Sequence, residues 1–541
     1  MKISRTSTRP ETGLFGSLPD RGRSVLAESG LLDGRGGSDG WRPGGPEQVD
    51  RIDQRPLDPG FNVDPLDELA ELLEASLDER SDLGAASKFV AAIERRLPPQ
   101  AQLPERLARP PWGSDDRSIP PGDCRLPALV KAVFDLYFRD DLYGHWMDAD
   151  PIVLSSGSFD ESVFGLPESL KACIRFPLER NWYGYSDSLG RGSAREALAA
   201  LETARFAGAS SVDPSEIAVT LGGTAAVSAV VDFLVDHGAS TPGRALCAVP
   251  NYPPLVATVA RRLPVSMVPA SVVDGGVDIS ELIRKVELGV HVVLLQTVVN
   301  PWGLRVPEHQ IAALIEQVPS DCFVLLDDCH DAFGPAVAAT PLRRSPNVVS
   351  IRSMSKRWAA PGLKAGWLVG SEAFVHAFYS HASTTYGGPS SLTYLLLEMF
   401  GMFELARLTG ELDVASLVDR RTDEYGLTTD GLCAALDDYL VSAEEFSAAV
   451  VGLRDFAADR LASAGLGVIR PAYSINVHAR IGELSSYELY RRLVSEAGVS
   501  VYPGLLAFAG GPGLVRVSPC IPMPALEEGL DRICRWVDHA S

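Results

Sequence analysis

A chain of 541 residues is too long for one ordinary domain, so two or three compact units with tails are expected, and an apolar share of 46% supplies ample core. The formal charge of −21 works against nonspecific attraction to nucleic acid or to an anionic membrane surface, which leaves small molecules or a second copy of the chain as partners. Eight cysteines are scattered without a C-x-x-C pair or metal-ligand spacing, no run of about 18 apolar residues occurs, and no apolar segment follows the basic start; the expectation is a reduced, cytoplasmic protein without a metal site or membrane span.

Residues 1–62 are crowded with Gly, Pro, Arg and Asp and carry almost no periodic apolar positions, so the segment is expected to be a disordered tail. Residues 63–150 form an N-terminal extension. Leu66, Leu69, Leu72, Leu73 and Leu77, then Phe89, Val90, Ile93 and Leu97, have helical spacing, with Ser81 placed to cap the second run. A proline-rich linker, Pro98-Pro99 to Pro120-Pro121, leads to an amphipathic helix near Leu126 to Trp146. No catalytic constellation is recognisable before residue 150.

From Pro151 short β-rich runs alternate with helical segments: Glu216 to Leu221, Ala245 to Val249, Val265 to Val268, His291 to Leu295, Phe323 to Leu326, Val348 to Ile351 and Trp367 to Val369. Crossovers long enough for helices make this an α/β unit with a mostly parallel sheet, where ligands bind beyond the carboxyl ends of strands. Polar residues recur at those ends. Gly222-Gly223-Thr224 opens a helical run, and glycines followed by a helix N-terminus suit a phosphate, although a βα turn without a ligand explains them equally well. Tyr252, between Asn251 and Pro253-Pro254, could stack on a planar ring, and Asn300-Pro301 could offer an amide; an exposed turn explains either. Asp327, at the mouth of an apolar strand, is costly without a cationic partner, with helix capping as the plainer alternative. Ser353-Met354-Ser355-Lys356 then ends a strand, and Pro361-Gly362-Leu363-Lys364 returns the chain to the last one. A lysine amine so held can condense with an aldehyde.

These five features, in this order and each at a strand end, resemble the fold-type I enzymes that use pyridoxal 5'-phosphate (PLP), specifically the class I/II aminotransferases, across roughly residues 150–540. The resemblance implies a large PLP-binding domain over 151–370, with a mostly parallel seven-stranded sheet, and a smaller α+β C-terminal domain over 371–541. It implies that Lys356 binds the cofactor covalently, Asp327 pairs with the pyridine nitrogen, Asn300 bonds the ring hydroxyl and Tyr252 stacks on the ring. Gly223, Thr224, Ser353, Ser355 and Lys364 would hold the phosphate. Tyr185, within Trp182-Tyr183-Gly184-Tyr185, matches a tyrosine that reaches the neighbouring subunit's phosphate and so implies a homodimer. Arg516, in Val515-Arg516-Val517, matches the arginine that grips the substrate α-carboxylate, with Gly157 approaching the same group.

The chain departs from the family pattern where it matters. Lys364 stands for the usual arginine, His330 for the usual tyrosine beside the ring oxygen, and Gly387 or Gly388 where a cross-subunit serine is common. Extra helical sequence over about 403–443 interrupts the C-terminal domain, whose pattern resumes at Ala449. The expected activity is amino-group transfer between an amino acid and an oxo acid; the alternative is elimination, replacement or carbon–carbon bond formation at Cβ or Cγ on the same cofactor. A transcription regulator built on this fold would need a basic DNA-binding module before residue 120, and the acidic leucine pattern from Asp64 to Glu79 does not supply one.

Overall fold

The computed structural model describes residues 13–16, 18, 125–206, 211–237 and 243–540. The paired helices expected over 64–97 and the proline-rich linker lie outside these residues, as does most of the expected disordered tail. Residues 13–16 of that tail pack against the fold. Leu14 and Phe15 are each only 5% exposed; the Leu14 amide donates to the Tyr425 carbonyl at 2.8 Å, and the Phe15 ring centroid lies 6.1 Å from that of Phe403. Composition averaged over some sixty polar residues hides one Leu-Phe pair flanked by glycines.

The seven expected strands are the seven strands of one sheet: β1 (Ile217–Thr220), β2 (Arg244–Val249), β3 (Val265–Pro269), β4 (Val290–Gln296), β5 (Phe323–Asp327), β6 (Val348–Ser353) and β7 (Gly366–Val369). Their spatial order is β1-β7-β6-β5-β4-β2-β3. All neighbouring pairs are parallel except those of β7, which runs antiparallel to both β1 and β6. Helices cover both faces, so the strands are apolar on both sides. Val292 and Leu294 join one core while Val293 and Leu295 join the other, as the two-residue period of a strand requires. The parallel strands therefore bring their carboxyl ends to one edge of the sheet, and the β6–β7 connection, which carries Lys356, lies on that edge.

Four helices frame that edge. Helix α1 (Arg125–Leu136) continues as a π-helical stretch, Tyr137–His145, matching the amphipathic helix expected near Leu126 to Trp146. Helices α2 (Gly223–His237) and α3 (Pro253–Ala260) follow β1 and β2 directly. Helix α4 (Tyr394–Thr409) is buried on most sides and packs on Gly192–Ala204, with Gly401 in close approach to Ala197.

The extra helical sequence expected over about 403–443 spans the end of α4, helix α5 (Val414–Tyr425) and the first part of helix α6 (Thr429–Ser463). No break marks the expected return to small-domain sequence at Ala449, because α6 runs through it for 35 residues. Leu432, Ala435, Tyr439, Ala443, Phe446, Val450, Leu453, Ala457 and Leu461 form one continuous buried stripe at helical spacing. A second sheet, β8 (Gly467–Ile469), β9 (Val477–Arg480), β10 (Tyr502–Pro503) and β11 (Leu514–Val517), has the order β8-β9-β11-β10, and helix α7 (Met523–Ala540) closes the chain. Residues Ile152–Val153 pair in parallel with Val499–Ser500, which brings the start of the α/β unit beside the second sheet.

Candidate active site

A cavity of about 320 Å³ opens at the carboxyl edge of the large sheet. Gly223, Thr224, Ser353, Ser355 and Lys364 line one end; Tyr252, Asn300, Asp327, His330 and Lys356 line the middle; Gly157 and Arg516 line the other end. Every candidate except Tyr185 is thus in one place. Tyr185 is fully exposed and is absent from the cavity wall of this single chain.

At the first end the β1–α2 turn delivers free amides. Gly223 is the first residue of α2, where helical N–H groups lack partners within the helix. A Cβ on Gly223 would stand 2.5 Å from Cys329 Sγ, so only glycine leaves this turn its shape. Thr224, Ser353, Ser355 and the exposed Lys364, whose backbone φ is 51°, line this end. Amides, hydroxyls and a cation are the donor set a phosphate requires.

Asp327 ends β5 and is 4% exposed. Its carboxylate accepts from Gln296 Nε2 at 3.0 Å and from the Cys329 amide at 3.1 Å. Burial nevertheless pushes it above the usual carboxylate range against those two donors. Its neighbour Asp328 has the opposite fate. Burial raises it too, but Arg352 and Arg343 outweigh burial and hold it well below the ordinary range. Of two adjacent aspartates, one is neutralised by the protein and one faces the cavity.

Lys356 lies three residues beyond the end of β6. Burial, and then the nearby Arg516 guanidinium, push its pKa down to about 8. Its Nζ donates to the Gly157 carbonyl at 2.7 Å. The next two residues anchor the loop to α4 and α6: Arg357 Nε donates to Glu404 Oε1 at 3.0 Å and Nη1 to Ser447 Oγ at 3.2 Å. Trp358 Nε1 donates to the Tyr439 hydroxyl at 3.2 Å. These helices thus pack against the lysine loop.

Arg516, on β11, is 4% exposed. Its guanidinium lies 3.8 Å over the Tyr502 ring and Nη2 donates to the Ser155 carbonyl at 2.9 Å. Gly157 adopts φ 63°, and a Cβ there would stand 2.6 Å from Arg516 Nη2; the missing side chain leaves the fork accessible from the cavity. His330 Nδ1 pairs with Ser474 Oγ at 2.7 Å, and burial, with Lys356 and Arg516 nearby, pushes its pKa down to about 3. Histidine here is neutral at physiological pH.

Several lining residues carried no recognisable signal in the sequence. Phe134 and Phe138, four apart on α1 and its continuation, reach into the cavity, so the segment before residue 150 does contribute to the site; they read simply as an apolar stripe. Phe134 meets Tyr252 edge-on, with centroids 5.7 Å apart. Asn476, from the loop before β9, is 1% exposed and donates through Nδ2 to Asn300 Oδ1 at 3.1 Å. No group of three or more metal-binding side chains occurs among the described residues.

A buried carboxylate, an amide, an aromatic wall, a lysine of lowered pKa and a phosphate-type cradle, gathered in one cavity, fit PLP. Comparison with known proteins places the chain. The pattern of the family described as aminotransferase class I and II matches residues 149–533, which is most of the chain. The protein belongs to that family, and it is a PLP-dependent transferase with aminotransferase function. Among curated proteins it is 25% identical, over 396 residues, to a valine–pyruvate aminotransferase of Mycobacterium tuberculosis, covering 72% of this chain and 91% of the relative. An aminotransferase structure from Mycobacterium tuberculosis has a TM-score of 0.60 at 22% identity, with 76% of this chain and 96% of that one covered. The aspartate aminotransferase of Thermus thermophilus with maleate gives 0.58 at 22% identity, covering 77% and 97%. At these identities the two structures establish the fold. The alternative chemistry at Cβ or Cγ is not favoured by these relatives. No helix among the described residues is long and apolar enough to cross a membrane.

Proposed function

We propose that the protein transfers the amino group of a neutral amino acid with an apolar side chain to an oxo acid. The observation that carries this reading is the contrast within one cavity. A single buried arginine, Arg516, serves the carboxylate, and Phe134, Phe138, Leu255 and Tyr252 supply the apolar part of the wall. Among the described lining residues the other cations are Lys356 and Lys364, one assigned to the cofactor aldehyde and the other to its phosphate. A second carboxylate on the substrate would thus find no charge to offset its desolvation. The valine–pyruvate relative is named for substrates of this kind.

In this reading Lys356 would hold the cofactor and, when free, would accept and return a proton at the substrate Cα, for which its lowered pKa suits it near neutrality. The cofactor, when bound, supplies an electron sink conjugated to the substrate nitrogen. Asp327 would pair with the ring nitrogen, since a buried carboxylate is stabilised by a cationic partner. Asn300 and His330 would meet the ring oxygen, and Tyr252 would stack on the ring. Gly223, Thr224, Ser353, Ser355 and Lys364 bind the phosphate. Arg516 orients the α-carboxylate, with Gly157 leaving room for it. We read Tyr185 as completing the phosphate site of a second copy in a homodimer: a tyrosine exposed on all sides, near the exposed Leu178 and Tyr183, gains a purpose when a partner covers it.

The test is a panel of amino acids with oxo acid acceptors, followed by product analysis. Oxo acids from valine, leucine or phenylalanine, and none from aspartate, glutamate or lysine, are expected. Faster turnover of a dicarboxylic amino acid would overturn the substrate class. Release of ammonia or β-elimination products without a new amino acid would overturn transfer itself.

A further inference from the structure

One chain of hydrogen bonds crosses the site beneath the residues assigned above. It starts at the Gly157 amide, which donates to Ser518 Oγ at 2.9 Å. Ser518 Oγ donates to Asn476 Oδ1 at 3.0 Å. Asn476 Nδ2 donates to Asn300 Oδ1 at 3.1 Å. Ser518 and Asn476 are each 1% exposed, so water offers them no alternative partner.

The chain has one direction throughout. Ser518 Oγ accepts from the Gly157 N–H and gives its own proton to Asn476 Oδ1. That proton fixes Asn476 Oδ1 as the acceptor and turns the Asn476 amide nitrogen toward Asn300. Asn300 Oδ1 is then occupied, and Asn300 Nδ2 remains as a donor. A side-chain amide has nearly equal shape in its two orientations, so without this chain Asn300 could as well present its carbonyl, an acceptor, to the cavity.

We infer that Ser518 and Asn476 are positioning residues that hold Asn300 with its N–H toward the cofactor's ring oxygen, and that they tie this polarity to the Gly157 loop beside Arg516. The inference rests on the assignment of Asn300 to that oxygen. A donor at the ring oxygen stabilises the more negative, deprotonated form of the bound cofactor and so lowers the pH at which its visible absorbance titrates. An amide with its carbonyl facing the oxygen would do the reverse. The charged groups near this side of the cavity, Lys356, Asp327 and Arg516, and the neutral His330, are common to all variants compared below.

The experiment is a pH titration of the visible spectrum of the PLP-loaded protein, wild type against Asn476→Leu, Ser518→Ala, Asn300→Ala and the double variant Asn300→Ala/Asn476→Leu. Leucine approximates the shape of asparagine without donor, acceptor or charge. The expected result is a rise in the titration midpoint by roughly one pH unit in Asn476→Leu, a smaller rise in Ser518→Ala, and no further rise when Asn476→Leu is added to Asn300→Ala. An unmoved midpoint in Asn476→Leu and Ser518→Ala while Asn300→Ala shifts it would overturn the inference, as would additive shifts in the double variant. If Asn300→Ala itself leaves the midpoint unchanged, the assignment of Asn300 fails, which is a separate outcome. Ser518→Ala removes one oxygen only, so it supplies the reading if Asn476→Leu does not fold.

Discussion

The two ends of the cavity are built differently. The phosphate-type end is assembled from residues close in sequence to strand termini, with Thr224 and Lys364 exposed and few partners beyond their own loops. From the middle of the cavity to the Arg516 end, the wall is buried and cross-linked over long sequence distances: His330 pairs with Ser474 across 144 residues, Asn300 with Asn476 across 176, and Gly157 with Ser518 across 361. The exposed end can tolerate exchange of one donor for another, as the lysine at 364 illustrates. The buried end cannot, because each donor there is the sole partner of an acceptor that water does not reach.

The sharpest separation of the two ends comes from the residue between them. Lys356→Ala should lower amino-group transfer by more than about 10³-fold. Borohydride reduction should then leave no pyridoxyl adduct, whereas the wild type carries it on the Lys356 peptide alone. At the buried end, Arg516→Ala removes one partner of a desolvated charge pair, which costs about 2 to 5 kcal/mol. The expected loss in kcat/KM is about 30-fold to a few thousand-fold, with cofactor binding retained.

Capture of the cofactor by apoprotein tests the lysine itself. An amine of pKa about 8 is about 10% neutral at pH 7, against about 0.03% for an ordinary lysine, and only the neutral form attacks an aldehyde. The rate of capture, followed by growth of the visible band, should climb with pH and level off above about 8 rather than above about 10.5. At the exposed end, Lys364→Ala should weaken cofactor binding by about tenfold or less, measured by equilibrium titration, because water screens the ammonium. A larger loss would erase the contrast between the ends.

The smallest effect concerns stability at acid pH. His330 stays neutral in the fold to about pH 3, while in the unfolded chain it gains a proton near 6.5. Below pH 6.5 the unfolded state binds the extra proton, so stability is lost as pH falls from about 6.5 toward 3. His330→Gln removes that contribution, and its Tm should decline by a few degrees less than the wild type over this range.

What could be read from the chain follows the same division. All seven strands of the large sheet were legible because fully buried parallel strands are continuous apolar runs bounded by turns, and the residues at their ends follow from the fold rule for such sheets. Asn476 and Ser518 were not legible. Each sits in an unremarkable polar position and acquires its role only when the second sheet is folded against the first. Phe134 and Phe138 belong to a stripe whose spacing is the same whether it faces a core or a ligand. Leu14 and Phe15 lack even a period, since two residues cannot show one.

At 1.5 Å per residue the 35 residues of α6 span about 52 Å, long enough for one rigid rod to reach several distant places. Near its start lies the Leu14-Phe15 peptide, in its middle the Tyr439, Phe446 and Ser447 contacts to the lysine loop, and near its end the Arg460 guanidinium, 2.8 Å from Asp531 of α7. Shortening this rod would take Ser447 from Arg357 and Tyr439 from Trp358, immediately beside Lys356, so a change made far along α6 is felt at the lysine loop.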